Sequence, residues 1–210
     1  MKIILAIYGV NEPIIKASKY GHIDIVQFLI KNNLNSDKAI NKAIKHNHLT
    51  IVNLLISNGC TISNDLLPIA AYNNNIEIAK LLINSGADVN AGKNQALILA
   101  SNRGNYLMVQ LLVDFGANIH DQNNKAVICA SKNGHDSVVN ILIKSGANIQ
   151  DQDNKALISA SKNDHYSVVK LLIKNGADIR ARNNKAVICA GKKGNNKVEK
   201  LLIKNGAIKN

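Results

Sequence analysis

The sequence predicts an all-α solenoid of stacked helix-turn-helix repeats. Three observations predict it: a glycine recurs every thirty residues in the later part of the chain, an apolar helix-like segment precedes each of these glycines, and no strand pattern is present. The glycines are Gly86, Gly116, Gly146, Gly176 and Gly206. Self-similarity at such a spacing is typical of arrays in which each unit buries its apolar face only against its neighbours. Any function is therefore expected on the surface of the stack.

Seven repeats can be traced along the 210 residues. Each is marked by a pair of residues before its second helix, such as Gly21-His22 or Gly134-His135, and by a turn residue that follows the pair. The turn residue is Asn33 in the first repeat and glycine in the others; asparagine is the residue that best tolerates the left-handed backbone that glycine supplies at a helix C-terminus. We predict one domain over 1–210 with repeats at approximately 11–36, 37–63, 64–90, 91–120, 121–150, 151–180 and 181–210.

The fifth repeat illustrates the predicted elements. Asn124 is expected to be the N-cap of a short helix over 125–132, Asn133-Gly134 turns the chain, and residues 135–144 form a longer second helix. Its apolar stripe is predicted to consist of Val138, Val139, Leu142 and Ile143. Helices this short are marginal in isolation, so contacts between repeats must hold them in place.

The two ends of the array differ from its middle. Residues 1–10 are apolar but are interrupted by Tyr8-Gly9 and lack a signal-peptide cleavage site, so we expect an N-terminal cap over the first repeat rather than a secretion signal. In the last repeat, Glu199 takes a position that is apolar in the other repeats. Because an unpaired buried charge is costly, residues 181–210 are predicted to form a polar C-terminal cap on which no eighth repeat stacks.

The repeats resemble the ankyrin repeat. The resemblance rests on Ala-Ser-Lys-Asn-Gly-His at 130–135, on Val-Val-x-Ile/Leu-Leu-Ile-Lys, and on Gly-Ala-Asn/Asp-Ile/Val, and it covers the chain from about Asn11 onward. The family's Thr-Pro-Leu-His opening is replaced by sequences such as Lys125-Ala-Val-Ile128, so isoleucine stands at the histidine position. The repeats are also shorter than the family's usual length of about thirty-three residues. The missing residues fall in connections such as 121–124, so we predict shortened inter-repeat loops.

The resemblance implies a non-catalytic scaffold that binds another protein. Many family members use projecting fingers between repeats, and here the fingers are short, so the binding surface is expected to shift towards the exposed face of the first helices. Short connections combined with heavy use of Asn, Ile and Lys make the chain similar to ankyrin arrays encoded by large DNA viruses of amoebae. That similarity implies a viral protein that acts in the cytoplasm of a host cell.

Composition predicts an intracellular protein without a membrane span. No apolar run approaches the roughly eighteen residues that a spanning helix needs. The chain has three cysteines, and an odd number argues against a disulfide framework and fits a reducing compartment. We expect a monomer that does not associate with a membrane.

No catalytic, cofactor or metal site is predicted. Cys129 and Cys189 stand two repeats apart, about 20 Å if stacked helices are spaced as usual, which is too far for a disulfide or a shared metal. The recurring histidines, such as His135, occupy the Gly-His position, where helix-start packing and hydrogen bonding account for them. An enzyme needs a nucleophile or base to converge with its orienting group, whereas repetition spreads equivalent side chains along a line.

The net charge of +12 is unevenly distributed. From residue 179 to residue 210, nine lysines and arginines stand against Glu199 alone. Lysines also form two columns on the first helices: Lys125, Lys155 and Lys185 at the start, and Lys132, Lys162 and Lys192 at the end. These columns predict a basic ridge that would attract an acidic protein surface or phosphates. The alternative is a solvated face that merely follows from a lysine-rich composition.

Partner-binding residues are predicted at surface positions where otherwise similar repeats differ. Arg180 and Arg182 come first, because arginine forms directional bonds to carboxylates and is enriched at interface centres. The predicted set is Gln122, Asn123, Gln152, Asp153, Arg180, Arg182, Lys185 and Lys192. The alternative function is binding of a polyanion or nucleic acid through the basic C-terminal repeat. Nucleic acid is not the expected partner, because the sequence offers neither stacking aromatics nor a groove-entering helix.

Overall fold

A computed structural model describes residues 12–208, which form fourteen α-helices and no strand. The predicted N-terminal cap, residues 1–10, lies outside the described residues. The helices are α1 (Glu12–Tyr20), α2 (Ile23–Lys31), α3 (Asp37–Lys45), α4 (Leu49–Ser57), α5 (Leu66–Tyr72), α6 (Ile76–Asn84), α7 (Ala91–Arg103), α8 (Tyr106–Asp114), α9 (Asp121–Lys132), α10 (Asp136–Lys144), α11 (Asp151–Lys162), α12 (Tyr166–Lys174), α13 (Ala181–Lys193) and α14 (Asn196–Lys204).

The helices belong to two compact units, one ending at Gly92 and the other beginning at Lys93. In the first unit the first helices α1, α3 and α5 pack in sequence, and the second helices α2, α4 and α6 do the same. In the second unit α9, α11 and α13 pack side by side, and α8, α10, α12 and α14 form the matching layer of second helices. The predicted all-α architecture of stacked helix pairs is therefore confirmed, while the single-domain boundaries stay a prediction.

Each second helix buries one stripe between its neighbours. In α10 the fully buried residues include Val138, Val139 and Leu142, as predicted, but the fourth is Ile141, and Ile143 is only half-buried. Ile143 follows Leu142 by about 100° around the helix, which turns its side chain away from the packed stripe. Burial of each such side chain contributes about 1.5–3 kcal/mol, and this contact between layers holds the short helices in place.

The connections in the second unit are short because the chain turns through left-handed backbone. Gln122, Asn123 and Asn124 have φ angles of 51°, 56° and 56°. The same conformation occurs at residues 152–154 and 182–184, and residues 92–94 also have positive φ. The prediction that Asn124 is an N-cap is wrong, because an N-cap residue has extended backbone whereas Asn124 is left-handed.

The last residue of each left-handed turn clamps the two ends of its own repeat together, and Asn124 also bonds the next repeat. Asn124 is 2% exposed, and its amide group donates to the Asp151 carboxylate while its Oδ1 accepts from the backbone N–H of Asn148 at 2.8 Å. Equivalent bonds join Asn154 to the N–H of Asp178 at 2.8 Å and Asn184 to that of Ile208 at 2.9 Å. Asn124 and Asn154 are buried and Asn184 is half-buried, and hydrogen bonds at such sites offset the cost of the left-handed backbone.

A second contact between repeats links a glycine to a histidine. Gly134 has a φ of +78°, and a Cβ on it would lie 2.5–2.9 Å from the imidazole of His165. That imidazole donates from Nε2 to the carbonyl of Lys132 at 2.9 Å. The same arrangement joins Gly104 to His135 and Gly21 to His48. The predicted hydrogen-bonding role of these helix-start histidines is confirmed.

The last repeat departs from this pattern in a way that explains Glu199. The Glu199 side chain is half-buried, and its Oε1 lies 2.7 Å from the position of a Cβ added to Gly191. The two preceding repeats have Ser131 and Ser161 at the Gly191 position and valine at the Glu199 position. The absence of a side chain at Gly191 therefore makes room for the carboxylate. The predicted C-terminal cap stays a prediction.

Candidate functional site

The first helices α9, α11 and α13 form an open groove of about 400 Å³ in the second unit. Its lining combines long, exposed cationic side chains with the less exposed Ile128 and Ile158, which form its apolar floor. The lining residues are Ile128, Lys132, Lys155, Ile158, Ser159, Lys162, Asn163, Arg182, Lys185 and Cys189. Most of these residues are on packed helices, while Arg182 lies on a left-handed turn and Asn163 follows the end of α11.

Five of the lining residues are cationic and none is anionic. Two of them, Lys155 and Lys162, are seven positions apart on α11, which places both side chains on one face of the helix. The five cations are Lys132, Lys155, Lys162, Arg182 and Lys185, and all are exposed. Within residues 12–208, none of their charged groups forms an ion pair or a hydrogen bond with another side chain. The groove therefore carries a concentrated positive charge that the described part of the chain does not neutralise.

The floor of the groove is apolar because of the altered first-helix opening. Ile128 and Ile158 both line it, and Ile158 is the more buried of the two. These isoleucines stand where the resemblance places a histidine. Cys189 lines the groove as well, while its equivalent on α9, Cys129, is not part of the lining. Burial raises the pKa of the Cys129 thiol, and the positive charges of Lys125 and Lys132 partly oppose that rise.

The sequence matches a family model described as ankyrin repeats in three copies over residues 2–65, 67–153 and 146–210. The chain belongs to the ankyrin-repeat family. The crystal structure of the human ASB11 ankyrin repeat domain is similar to this ankyrin-repeat chain, with a TM-score of 0.80 and 21% sequence identity. The alignment covers 94% of this chain and 99% of that chain, and it supports the ankyrin solenoid fold. No curated protein matches the sequence.

Two of the eight predicted partner-binding residues, Arg182 and Lys185, line the groove of this ankyrin-repeat chain. Two others serve contacts between repeats. Gln122 donates to the carbonyl of Lys93 at 3.0 Å, and Arg180 donates from Nε to the carbonyl of Gly206 at 3.0 Å. Gln150 makes the equivalent bond to Gly176 at 2.9 Å, so the Arg180 contact follows from its position in the repeat.

The remaining four predicted residues are exposed but lie outside the groove lining. Three are on left-handed turns, namely Asn123, Gln152 and Asp153, and Lys192 is near the end of α13. Conversely, the groove includes three lysines that the predicted set lacks: Lys132, Lys155 and Lys162. The seven-residue spacing within each first helix was the sequence signal that could have found them, because such a spacing places two side chains on one face.

The described residues contain no group of side chains placed to hold a metal ion. Within residues 12–208, no three histidine, cysteine or acidic side chains come together as metal ligands. The cysteines at 60, 129 and 189 are all free thiols. None of the fourteen described helices is long and apolar enough to cross a membrane.

A second depression lies on the opposite layer of helices. It is about 500 Å³ in volume and is formed by α10 and α12, with Asp136, Tyr166, Lys170 and Lys174 among its lining residues. Its lining mixes acidic and basic groups, so it has no single electrostatic preference. This depression is therefore a suitable control surface for experiments on the groove.

Proposed function

We propose that the protein is a non-catalytic scaffold that binds a protein partner through the exposed face of its first helices and the adjoining short turns. Ankyrin repeats are generally protein-protein interaction modules, and the chain belongs to that family. The observation that supports this surface is the groove between α9, α11 and α13, whose cations have no partner within the described chain. Charges that no internal group neutralises are available to an external one.

Within that surface, Arg182 and Lys185 are the predicted residues to which we give most weight. Arg182 can form paired hydrogen bonds to a carboxylate, and Lys185 extends the same charge along α13. Lys192 and the turn residues Asn123, Gln152 and Asp153 form the rim of the proposed surface. Gln122 and Arg180 position the turns, because their side chains bond neighbouring repeats.

The setting that we infer is the cytoplasm of a host cell infected by a large DNA virus. The inference is supported by the short repeats and by the heavy use of Asn, Ile and Lys. We expect the protein to act as a monomer. Affinity capture from infected amoebae is the direct test, because recovery of partners from the wrong compartment would count against this setting.

The array itself supplies substitutions that test the groove without disturbing the fold. Other repeats carry Gln122 and Gln152 at the position of Arg182, Gln95 at that of Lys185, and Asn102 at that of Lys162. The groove variant is therefore Arg182→Gln, Lys185→Gln and Lys162→Asn. It removes three positive charges and introduces only residues that the same positions already accept.

A matched control changes the same amount of charge on the opposite layer. Lys170→Asn and Lys174→Asp copy Asn140 and Asp114 from equivalent positions and also lower the net charge by three, one from the first change and two from the second. We expect the groove variant to lose its captured partner and the control to keep it. Equal loss in both variants would show that net charge rather than the groove retains the partner.

A further inference from the structure

We propose that the occupant of the groove is an extended acidic segment of the partner protein, with a carboxylate at about every third residue and apolar side chains between. This inference rests on the proposed function and specifies the chemistry of the partner. It follows from three features of the second unit: the charge of the walls, the spacing of the helices that carry it, and the isoleucine floor.

The sign of the charge selects the class of ligand. The lining contains four lysines and one arginine and no carboxylate, and the acidic residues nearby in the chain are directed elsewhere. Asp151 accepts bonds from Asn124 and Asn148, so it is committed to contacts with the preceding repeat. Asp153 is exposed on its turn and is not part of the lining. An acidic partner segment would therefore meet attraction along the whole groove.

The spacing of the cations selects the conformation of the ligand. Packed helices lie about 8–10 Å apart, so equivalent basic residues on neighbouring helices, Lys132 with Lys162 and Lys155 with Lys185, are spaced at about that interval. A polyproline-type chain rises about 3.1 Å per residue with three residues per turn, so every third side chain recurs on one face after about 9 Å. The spacing of neighbouring helices therefore matches the three-residue period of such a ligand. Three helices then accommodate about seven residues of the ligand, with acidic side chains at the first, fourth and seventh positions.

The floor selects what stands between the acidic residues. Ile128 and Ile158 come from equivalent positions on neighbouring helices, and both are less exposed than the lining cations. An apolar side chain inserted there would be removed from water, which contributes about 25 cal/mol for each Å² of apolar surface buried. A purely ionic ligand would gain nothing from this floor. The combination therefore favours a peptide in which acidic and apolar residues alternate with a period of three.

The same groove is a poor match for nucleic acid. Binding of single strands normally adds stacking of bases on aromatic side chains, and no aromatic residue lines this groove. Aliphatic isoleucines offer contact surface but no ring for a base to stack on. Peptide and nucleic acid therefore differ in the contacts that the groove can supply beyond charge, and this difference can be measured.

The test uses the full chain and two fluorescent peptides of identical composition. The periodic peptide is Glu-Pro-Ile-Glu-Pro-Ile-Glu, and the blocked peptide is Glu-Glu-Glu-Pro-Ile-Pro-Ile. Binding is measured by fluorescence anisotropy at low ionic strength and again at about 0.15 M salt, where exposed charges are screened beyond about 8 Å. We expect the periodic peptide to bind at least about fivefold more tightly than the blocked one, because only its carboxylates match the helix spacing.

The groove and control variants assign the binding to a surface. The groove variant should bind the periodic peptide about tenfold more weakly, because three exposed ionic contacts are lost. The control variant should change the affinity for that peptide by less than about twofold. A thymidine oligonucleotide of equal charge serves as the second probe. If the oligonucleotide binds the groove more tightly than the periodic peptide does, the peptide assignment is overturned.

The outcomes also separate this inference from the proposed function. If the groove variant loses the captured cellular partner but neither peptide binds or competes with that partner, the acidic-segment inference is overturned and the interaction function stands. If both variants keep the captured partner, the groove is not the interaction surface and both proposals fail. Equal affinity for the periodic and blocked peptides would overturn the inferred three-residue spacing.

Discussion

The contact between Gly134 and His165 yields a quantitative prediction about how the repeats hold together. Replacement of Gly134 by alanine adds a Cβ that would lie 2.5 Å from His165 Nδ1 and 2.8 Å from Cε1. Real Cβ atoms do not approach neighbours so closely, so the imidazole has to move. Movement of the ring breaks its 2.9 Å bond to the carbonyl of Lys132.

The magnitude has two parts. A residue with a Cβ in the left-handed region costs about 1–2 kcal/mol. The lost hydrogen bond and the disturbed packing add about 1 kcal/mol or more. We therefore expect Gly134→Ala to lower the free energy of unfolding by about 2–3 kcal/mol. Gly194 isolates the first part, because its φ is +73° and no described atom lies within 4 Å of an added Cβ. Gly194→Ala should cost only about 1–2 kcal/mol.

A compensating substitution is already present in the sequence. Asp164 stands at the position of Gly134 in the following repeat, and unlike glycine it has a side chain. The repeat after it carries Asn195 in place of a histidine, and Asn195 donates to the carbonyl of Ser161 at 2.8 Å. His165→Asn should therefore preserve a bond across the repeats while relieving the crowding. We predict that it restores about 1 kcal/mol or more to the Gly134→Ala variant.

Urea unfolding followed by circular dichroism measures all four members of this double-mutant cycle. The slope of the transition should be compared across variants, since a change in slope would indicate that a repeat unfolds separately. The reasoning is refuted if the effects of Gly134→Ala and His165→Asn are additive. It is also refuted if Gly134→Ala costs no more than Gly194→Ala.

Three further predictions concern the Asn154 bond within its repeat, the Arg180 contact between repeats, and the Cys129 thiol. Asn154→Ala should lower the free energy of unfolding, measured with urea, by about 1–2 kcal/mol more than Asp153→Ala does, since both residues are left-handed but only Asn154 is buried and bonded to Asp178. Equal losses in the two variants would contradict the clamping role of Asn154. Arg180→Ala should lower stability by up to about 1 kcal/mol and Arg180→Gln should not, because Gln150 makes the equivalent bond; equal thermal melts would contradict this. Burial raises the pKa of the Cys129 thiol above its ordinary value, so its alkylation rate, followed by mass spectrometry, should keep rising to higher pH in the folded protein than in the urea-unfolded chain. Coincident pH profiles of the two rates would contradict the raised pKa.

The helix pairs could be predicted from the sequence because their signals are local and repeated. The apolar stripe of α10 and the turn at Asn133-Gly134 are present in a single thirty-residue stretch, and their recurrence along the chain removes ambiguity. The link between Gly134 and His165 was also available in principle. At each step along the array, glycine is followed in the next repeat by histidine, and a residue with a side chain is followed by asparagine.

The left-handed turns could not be predicted in the same way. Asparagine before a helix usually indicates an N-cap, and glutamine and arginine are uncommon in left-handed backbone. Gln122 and Arg182 stand two positions before Asn124 and Asn184, whose side chains bond the far end of the same repeat and so hold the turn in this conformation. A contact between residues twenty-four positions apart decides the conformation, and local propensity does not contain that information.

The groove was only partly predictable for a related reason. The lysine columns were visible in the sequence, and two residues of the predicted set, Arg182 and Lys185, are exposed and line the groove. The groove takes Lys132 from the end of α9 and Lys185 from the start of α13. This selection depends on how neighbouring helices pack, and the sequence pattern does not contain that information.

The most direct test of the proposed binding surface is to locate the bound partner by NMR from the methyl signals of isoleucine and leucine side chains. Ile128 and Ile158 lie on the groove floor, and Leu171 lies in the depression on the opposite layer and can be labelled alongside them. Addition of the captured partner should shift the methyl signals of Ile128 and Ile158 and leave those of Leu171 unchanged. Shifts at Leu171 with unchanged signals from the two isoleucines would contradict the assignment of the first-helix groove as the site of interaction.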